Sequence, residues 1–181
     1  PFTTRRIFEK LIHNEIEAAQ AGKKAQITAK MNSLEDPDMI QLLYKASQAG
    51  VKIRMIVRGF TCLIPGVEGL SENIYMTSIV DRYLEHGRIY LFHNGGDEQM
   101  YIGSADWMTR NLDRRIEVLT PIYDSDLFAE LKDILVLQLA DNVKARIQDA
   151  EETNAYVKQK TGDKRIRSQY EIYDYLKLKN N

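Results

Sequence analysis

The sequence predicts an α/β protein, a mixed sheet flanked by helices with a helical extension at the C-terminal end, and three observations predict it. Two short apolar strands, 25–31 and 51–57, bracket a helical stretch opened by Asp36-Pro37, the pattern of a βαβ unit with parallel strands. Two further strand-like segments, 88–92 and 100–102, flank Asn94-Gly95-Gly96-Asp97, the composition of a hairpin turn. A long helical pattern then starts at Asp124. Parallel and antiparallel pairings are therefore expected in one sheet.

The elements follow in order. Thr3 or Thr4 can cap a first helix reaching Ala21, with Phe8, Leu11, Ile12, Ile16 and Ala19 at helical spacing and Gly22 as its stop. The second helix presents Met39, Leu42, Leu43 and Ala46 on one face and ends at Gly50. Arg58-Gly59 stands at the carboxyl end of the second strand, where open α/β sheets hold their ligands. The loop 61–73, with Pro65, Gly66 and Gly69, reads as an irregular cover, and 74–78 as a weaker strand. Arg115–Leu119 reads as another strand, stopped by Pro121. Asp124 or Ser125 caps a helix over 126–143 whose Leu127, Leu131, Ile134 and Leu135 should face the sheet. The polar stretch 151–163 reads as a linker, and 164–179 returns to helical spacing through Ile166, Tyr170, Tyr173 and Leu176. The expected division is a domain over 1–150, then a linker and terminal helix over 151–181 packing on the domain or a neighbour.

Composition narrows the function classes. A chain of 181 residues, 44% hydrophobic and 28% charged, can bury a sizeable core and is not disordered. A net charge of −1 supplies no global field for nucleic acid or an anionic membrane, so no nucleic-acid partner is expected. No apolar run is long enough to span a bilayer, and the start PFTTRRIFEK is not that of a signal peptide. The single Cys62 excludes an internal disulfide and a cysteine zinc site, and favours a reducing compartment. A beginning at Pro1 suggests a piece of a longer chain. The cations are uneven: Arg54, Arg58, Arg82, Arg88, Arg110, Arg114 and Arg115 fall between Ile53 and Leu131 without one lysine. Arginine's fork matches two phosphate oxygens, although any one of these taken alone reads more readily as a partner for the neighbouring carboxylates.

No GxxxxGK[ST], HRD, DFG, HExxH or GxSxG string occurs, which removes P-loop, ordinary protein-kinase, zincin and nucleophile-elbow chemistry. His13 reads as a boundary residue of the first helix and His93 as a polar group flanking the hairpin turn. His86, followed by Gly87-Arg88, is different. With the small-residue turn Gly103-Ser104-Ala105-Asp106 and Glu117 on the next strand, it makes a plausible phosphoryl site. Cations would surround the phosphoryl oxygens, and an imidazole can give or take a proton near neutral pH. Arg88 could instead pair with Glu85 or Glu117. Asp106 and Glu117 more readily orient the histidine or an arginine than react, and Ser104 could bond a phosphate oxygen or only close the turn.

His86-x-Arg88, Gly103-Ser104-x-Asp106 and Glu117 resemble a degenerate phospholipase D-type motif, whose usual form is HxK, a downstream Asp and GSxN. Here arginine replaces the lysine and Asp106 the asparagine, and the histidine-to-glycine spacing is longer. Longer strings are more specific: AKMNSL (29–34), ASQAGVKI (46–53), IVRGFTCLIPG (56–66), SIVDRYLEHGRIY (78–90), GSADWMTRNLDRRIEV (103–118) and IYDYL (172–176). Nearly end to end, they are similar to the last catalytic domain of bacterial polyphosphate kinases.

That resemblance implies a phospholipase D-like fold and reversible transfer of the terminal phosphate of ATP to inorganic polyphosphate. In the family the site is a tunnel between two related domains, and the phosphorylated histidine lies in the first, outside this chain. His86 matches the histidine implied to contact ATP phosphates and assist transfer, and Arg58 matches an arginine implied to bind them. Arg88 and Ser104 are weaker candidates for phosphate. Magnesium is implied with ligands outside this chain, as are ATP, ADP and polyphosphate as partners, the remaining domains of the same polypeptide, and a homo-oligomer. The implied location is cytoplasmic, with peripheral association with the inner membrane left open. The chain alone is expected to be nearly inactive. Two other readings stay open: a dimeric phospholipase D-type phosphodiesterase or nuclease with His86 as nucleophile, and a non-catalytic docking module using the terminal helix.

Overall fold

A computed structural model describes residues 3–159 and 161–179. The helices are α1 (Thr4–Gln20), α2 (Pro37–Gln48), α3 (Ser125–Leu139) and α4 (Ser168–Lys179). The strands are β1 (Gln26–Met31), β2 (Lys52–Val57), β3 (Ile74–Ile79), β4 (Ile89–Phe92), β5 (Gln99–Gly103), β6 (Leu119–Pro121) and β7 (Ala145–Gln148). They form one mixed sheet in the order β6-β5-β4-β1-β2-β3-β7. β1, β2 and β3 run parallel, in register from Gln26 opposite Lys52 to Met31 opposite Val57. β4 is antiparallel to β1 and β5 to β4, so β5 points the same way as β1.

Two helical layers cover the sheet, as a sheet buried on both faces requires. Phe8, Leu11 and Ile12 of α1 and Met39 and Leu43 of α2 pack on Ile27, Ala29, Met31, Ile53 and Met55. Phe8, Tyr90 and Trp107 form an aromatic cluster with centroids 4.6–5.4 Å apart, and all three are fully buried. On the opposite face Leu135 of α3, with Phe128 and Leu131, covers Ile89, Leu91 and Met100. Among the described residues no helix is long and apolar enough to cross a membrane.

Several expectations need correction. Thr3 is the residue before α1 but makes no capping bond. Arg5 ties the helix start down instead, donating to Asp36 at 2.9 and 2.6 Å and to Asp113 at 2.7 Å. The strand read over 115–119 lies at Leu119–Pro121, so Glu117 is in a loop; Pro121 joins the strand because β6 is an edge that needs no N–H there. Ahead of it, Arg110–Arg114 form one π-helical turn. The third helix ends at Leu139 rather than 143, and Leu127 is 54% exposed rather than facing the sheet. The residues after it turn back as β7, antiparallel to β3. The stretch read as a linker runs alongside β7: Ile147 N–H donates to Ala155 O at 2.8 Å, and the Arg146 guanidinium lies 3.9 Å over the Tyr156 ring. The final helix begins at Ser168, and its Tyr173 is 64% exposed.

Candidate functional site

Strand direction brings the chemistry to one edge. β1, β2, β3 and β5 end there, while β4 and β6 begin there. Asn32 follows β1, Arg58 follows β2, His86-Gly87-Arg88 precedes β4, Gly103-Ser104 closes β5 and Glu117 precedes β6. With Asp106, three residues past β5, all six residues singled out from the sequence (Arg58, His86, Arg88, Ser104, Asp106 and Glu117) therefore sit at the same end of the sheet.

Their engagements differ. Arg88 pairs with Asp106, not with Glu85 or Glu117: Nε and Nη2 donate to Oδ1 and Oδ2 at 3.2 and 3.1 Å. Its Nη1 donates to the His86 carbonyl at 2.7 Å, so the guanidinium holds the histidine's backbone. Asp106 is buried and also accepts the Asn32 N–H at 2.7 Å, joining the ends of β1 and β5. Ser104 donates to Glu117 and accepts the Val118 N–H at 3.1 Å, which closes the turn. Glu117 takes a second donor from Asn111 at 2.6 Å and contacts neither a histidine nor an arginine among the described residues. Tyr90, buried against Phe8 and Trp107, donates to Ala105 O at 2.6 Å. Burial, and then the nearby Asp106, push the Tyr90 phenol well above its ordinary pKa, so it stays a neutral donor.

Of the buried donors left without a partner, which also include Trp107 Nε1 and the Thr77 hydroxyl, two belong to residues one position past β1 and β2. Arg58 Nη1 and Asn32 Nδ2 are buried without a hydrogen-bond partner among the described residues. The β1–β2 register carries on past the strands, because Arg58 N–H donates to Met31 O and Gly59 N–H to Asn32 O. The two residues are thus neighbours across the parallel pair. A buried donor left unpaired costs about 1–3 kcal/mol, which marks the place for an acceptor-rich ligand. The His86 side chain is exposed and makes no hydrogen bond among the described residues. Beside Arg88 and Ser104 a concave, mostly apolar surface of about 450 Å3 is bounded by Ile89, Ile102 and Leu131. His13 bonds back to Glu9 O, and His93 precedes the hairpin turn, where its backbone carbonyl, not its side chain, accepts from Gly96 N–H, so both stand apart from this edge.

Gly103 is required by space. A Cβ there would lie 2.5 Å from Val118 O and 3.3 Å from Leu119 Cδ1. Gly103→Ala is expected to push β6 away and cost about 2 kcal/mol, read as a lowered urea midpoint.

The sequence reading did not single out Asn32, Lys30, Gln138 or Gln169. Asn32 was within reach of the rule that drew attention to Arg58, since both stand one residue past a strand. The others meet Glu85 from β1, α3 and α4, and no local signal links them.

Residues 1–169 match the family model described as polyphosphate kinase C-terminal domain 2. The chain belongs to the polyphosphate kinase C-terminal domain family. It is 54% identical to the polyphosphate kinase of Vibrio vulnificus over 98% of its own length and 25% of that protein. It superposes on the crystal structure of the polyphosphate kinase from Porphyromonas gingivalis with a TM-score of 0.94, at 47% identity, covering 98% of this chain and 27% of that one. The chain therefore spans about a quarter of the length of these relatives. A phospholipase D family member, Nuc from Salmonella typhimurium, shares the fold at a TM-score of 0.53 and 14% identity, covering 75% of this chain and 88% of that one. The phospholipase D-like mixed sheet expected from the sequence is thus the fold observed.

Proposed function

We propose that this chain supplies the nucleotide- and phosphate-contacting half of a polyphosphate kinase active site, which moves the terminal phosphoryl group of ATP reversibly onto polyphosphate. The phosphorylated histidine belongs, in this reading, to another domain of the same polypeptide. The observation that carries the assignment to this edge is the two buried, unpartnered donors, Arg58 Nη1 and Asn32 Nδ2, on residues that are neighbours across the parallel pair just past β1 and β2.

Phosphoryl transfer is catalysed mainly by positioning and by charge around the equatorial oxygens. Arg58 supplies the fixed positive charge and Asn32 a neutral donor. His86, with its ring unengaged, transfers a proton to or from the bridging oxygen as the phosphoryl group leaves or returns. Arg88 is committed to Asp106 and to the His86 carbonyl, so its part is to hold His86; Ser104 and Glu117 close the turn below. The residues here do not suit a resident magnesium ion. Among the described residues no three His, Cys, Asp or Glu side chains converge on one point, and Asp106 and Glu117 are already engaged. Magnesium would enter with the nucleotide.

The test is phosphorus NMR of the chain with magnesium-ATP and a short polyphosphate, together with turnover by the full-length polypeptide. The expected result is broadened phosphate signals without turnover by the chain alone, weakened in Arg58→Ala and His86→Ala. In the full-length polypeptide Arg58→Ala should slow transfer about 100-fold. Unchanged transfer in that variant would overturn the assignment, and steady synthesis by the chain alone would overturn the claim that it is half a site. Hydrolysis of a chromogenic phosphodiester by a dimer, lost in His86→Ala, would replace it with phosphodiesterase chemistry.

A further inference from the structure

We infer that Gln169, on the first turn of α4, is a positioning residue for His86. The inference rests on the functional reading of His86 above. Residues 80–88 cross from β3 to β4 without regular structure. Their large apolar side chains do not anchor them, since Val80, Tyr83 and Leu84 are all exposed. The segment is instead held by polar bonds, and about half of these come from the far C-terminal end of the chain.

Gln169 itself is 7% exposed. Its Oε1 accepts the Tyr83 N–H at 2.9 Å, and its Nε2 donates to Tyr83 O at 2.9 Å. One side-chain amide thus satisfies both backbone groups of Tyr83, as a neighbouring strand would. The second Nε2 hydrogen goes to Glu85 Oε1 at 2.9 Å. Glu85 immediately precedes His86, and its other oxygen accepts from Lys30 of β1 and from Gln138 Nε2 of α3 at 2.6 Å. Both amide hydrogens of Gln169 are therefore used, and no other residue type offers one acceptor and two donors at this length except by lengthening or charging the side chain. Two residues earlier, Arg167 Nη2 and Nε donate to the Asp81 carboxylate at 2.6 and 2.8 Å, a bidentate pair at the start of the same segment. Arg167, just before α4, and Gln169 on its first turn thereby grip the loop at 81, 83 and 85, and Arg88 grips it from the other side through the His86 carbonyl. With no apolar packing to substitute, release of the middle grip loosens the segment just before the histidine, which Arg88, Lys30 and Gln138 then hold only at its far end and at Glu85.

Gln169→Met keeps the volume and removes all three bonds. Backbone amide exchange at residues 82–86 should quicken at least about tenfold while exchange in β1 and β2 stays unchanged. In the full-length polypeptide, Gln169→Met should lower kcat for phosphate transfer about 10- to 100-fold with a smaller change in the KM for ATP. The double variant Gln169→Met/His86→Ala should be no slower than His86→Ala alone, because both losses act through one group. Unchanged amide exchange overturns the latch. Faster exchange with full transfer activity, or losses that simply multiply in the double variant, overturns the positioning role. If His86→Ala itself transfers normally, the functional reading fails first and the positioning role falls with it; a crippled His86→Ala beside a normal Gln169→Met defeats this inference alone.

Discussion

Asp141→Ala is expected to cost about 4 kcal/mol of stability and to release α4 together with β7. The carboxylate is 1% exposed and accepts five hydrogen bonds. Oδ1 takes the N–H groups of Val143, Lys144 and Ala145 at 2.9, 2.7 and 3.0 Å, which turns the chain from the end of α3 into β7. Oδ2 takes the N–H and hydroxyl of Ser168 at 2.7 Å each, which fixes the start of α4. The N–H groups of Val143 and Lys144 can regain water once the acceptor is gone. Those of Ala145 and Ser168 are buried, and each orphaned donor costs about 1–3 kcal/mol on top of the lost charge-assisted bonds. The same site makes stability depend on pH. Burial favours the neutral acid, but the Lys144 and Ser168 donors outweigh it and hold the Asp141 pKa below the ordinary value. A carboxyl lowered in the folded state contributes fully above the unfolded carboxylate range, about 3.9, and loses its contribution as pH falls through the lower folded value. Asp81, lowered first by Arg167, acts in the same direction on the same helix. Urea unfolding should therefore weaken below about pH 4 in the parent chain, and less steeply in Asp141→Ala. Equal midpoints for parent and variant at neutral pH would contradict the role given to Asp141.

Asp106→Ala is expected to cost about 3 kcal/mol and to disorder the candidate site at its centre. The substitution removes the bidentate partner of a mostly buried Arg88 and strands the Asn32 N–H, which has no other acceptor among the described residues. Arg88 would then have only the His86 carbonyl, so the loss reaches the histidine through its own backbone. Asp106→Asn keeps one acceptor oxygen and should cost about 1 kcal/mol, since an amide can still serve Asn32 while turning a donor toward the guanidinium. In a double-mutant cycle, Arg88→Ala should itself destabilise, and the pair Arg88→Ala/Asp106→Ala should lose about 2 kcal/mol less than the sum of the single losses. Chemical denaturation of the four proteins measures this directly. Strict additivity would mean that the two side chains do not support one another.

What could be read along the chain is what short-range physics decides. α1, α2, β1 and β2 follow from helical or strand periodicity with Gly22, Asp36-Pro37 and Gly50 as punctuation, and the hairpin from Asn94-Gly95-Gly96, where Gly95 and Gly96 take positive φ. β7 could not be read, because four residues after a helix carry no period of their own. They become a strand when the edge of β3 pairs with them and Asp141 turns the chain. Pro121 misled for a related reason: a proline stops an interior strand but is harmless on an edge, and only the strand order reveals that β6 is one.

The candidate site divides the same way. The sequence by itself determined the residue types at the candidate edge: a histidine two residues before an arginine, an arginine one residue past a strand, and a small-residue turn ending in an aspartate. It also carried the strings that place the chain in its family. Only the tertiary structure decided who pairs with whom. Arg88 had Glu85, Asp106 and Glu117 within reach on paper, and the antiparallel return of β5 beside β4 selected Asp106. Glu85 went to Lys30, Gln138 and Gln169, partners brought from three distant elements. Arg58 and Asn32 became neighbours through parallel register and were left unpaired by what surrounds them. Strand and helix signals act within a few residues, whereas a charge or a donor takes whichever partner the completed sheet brings within about 3 Å.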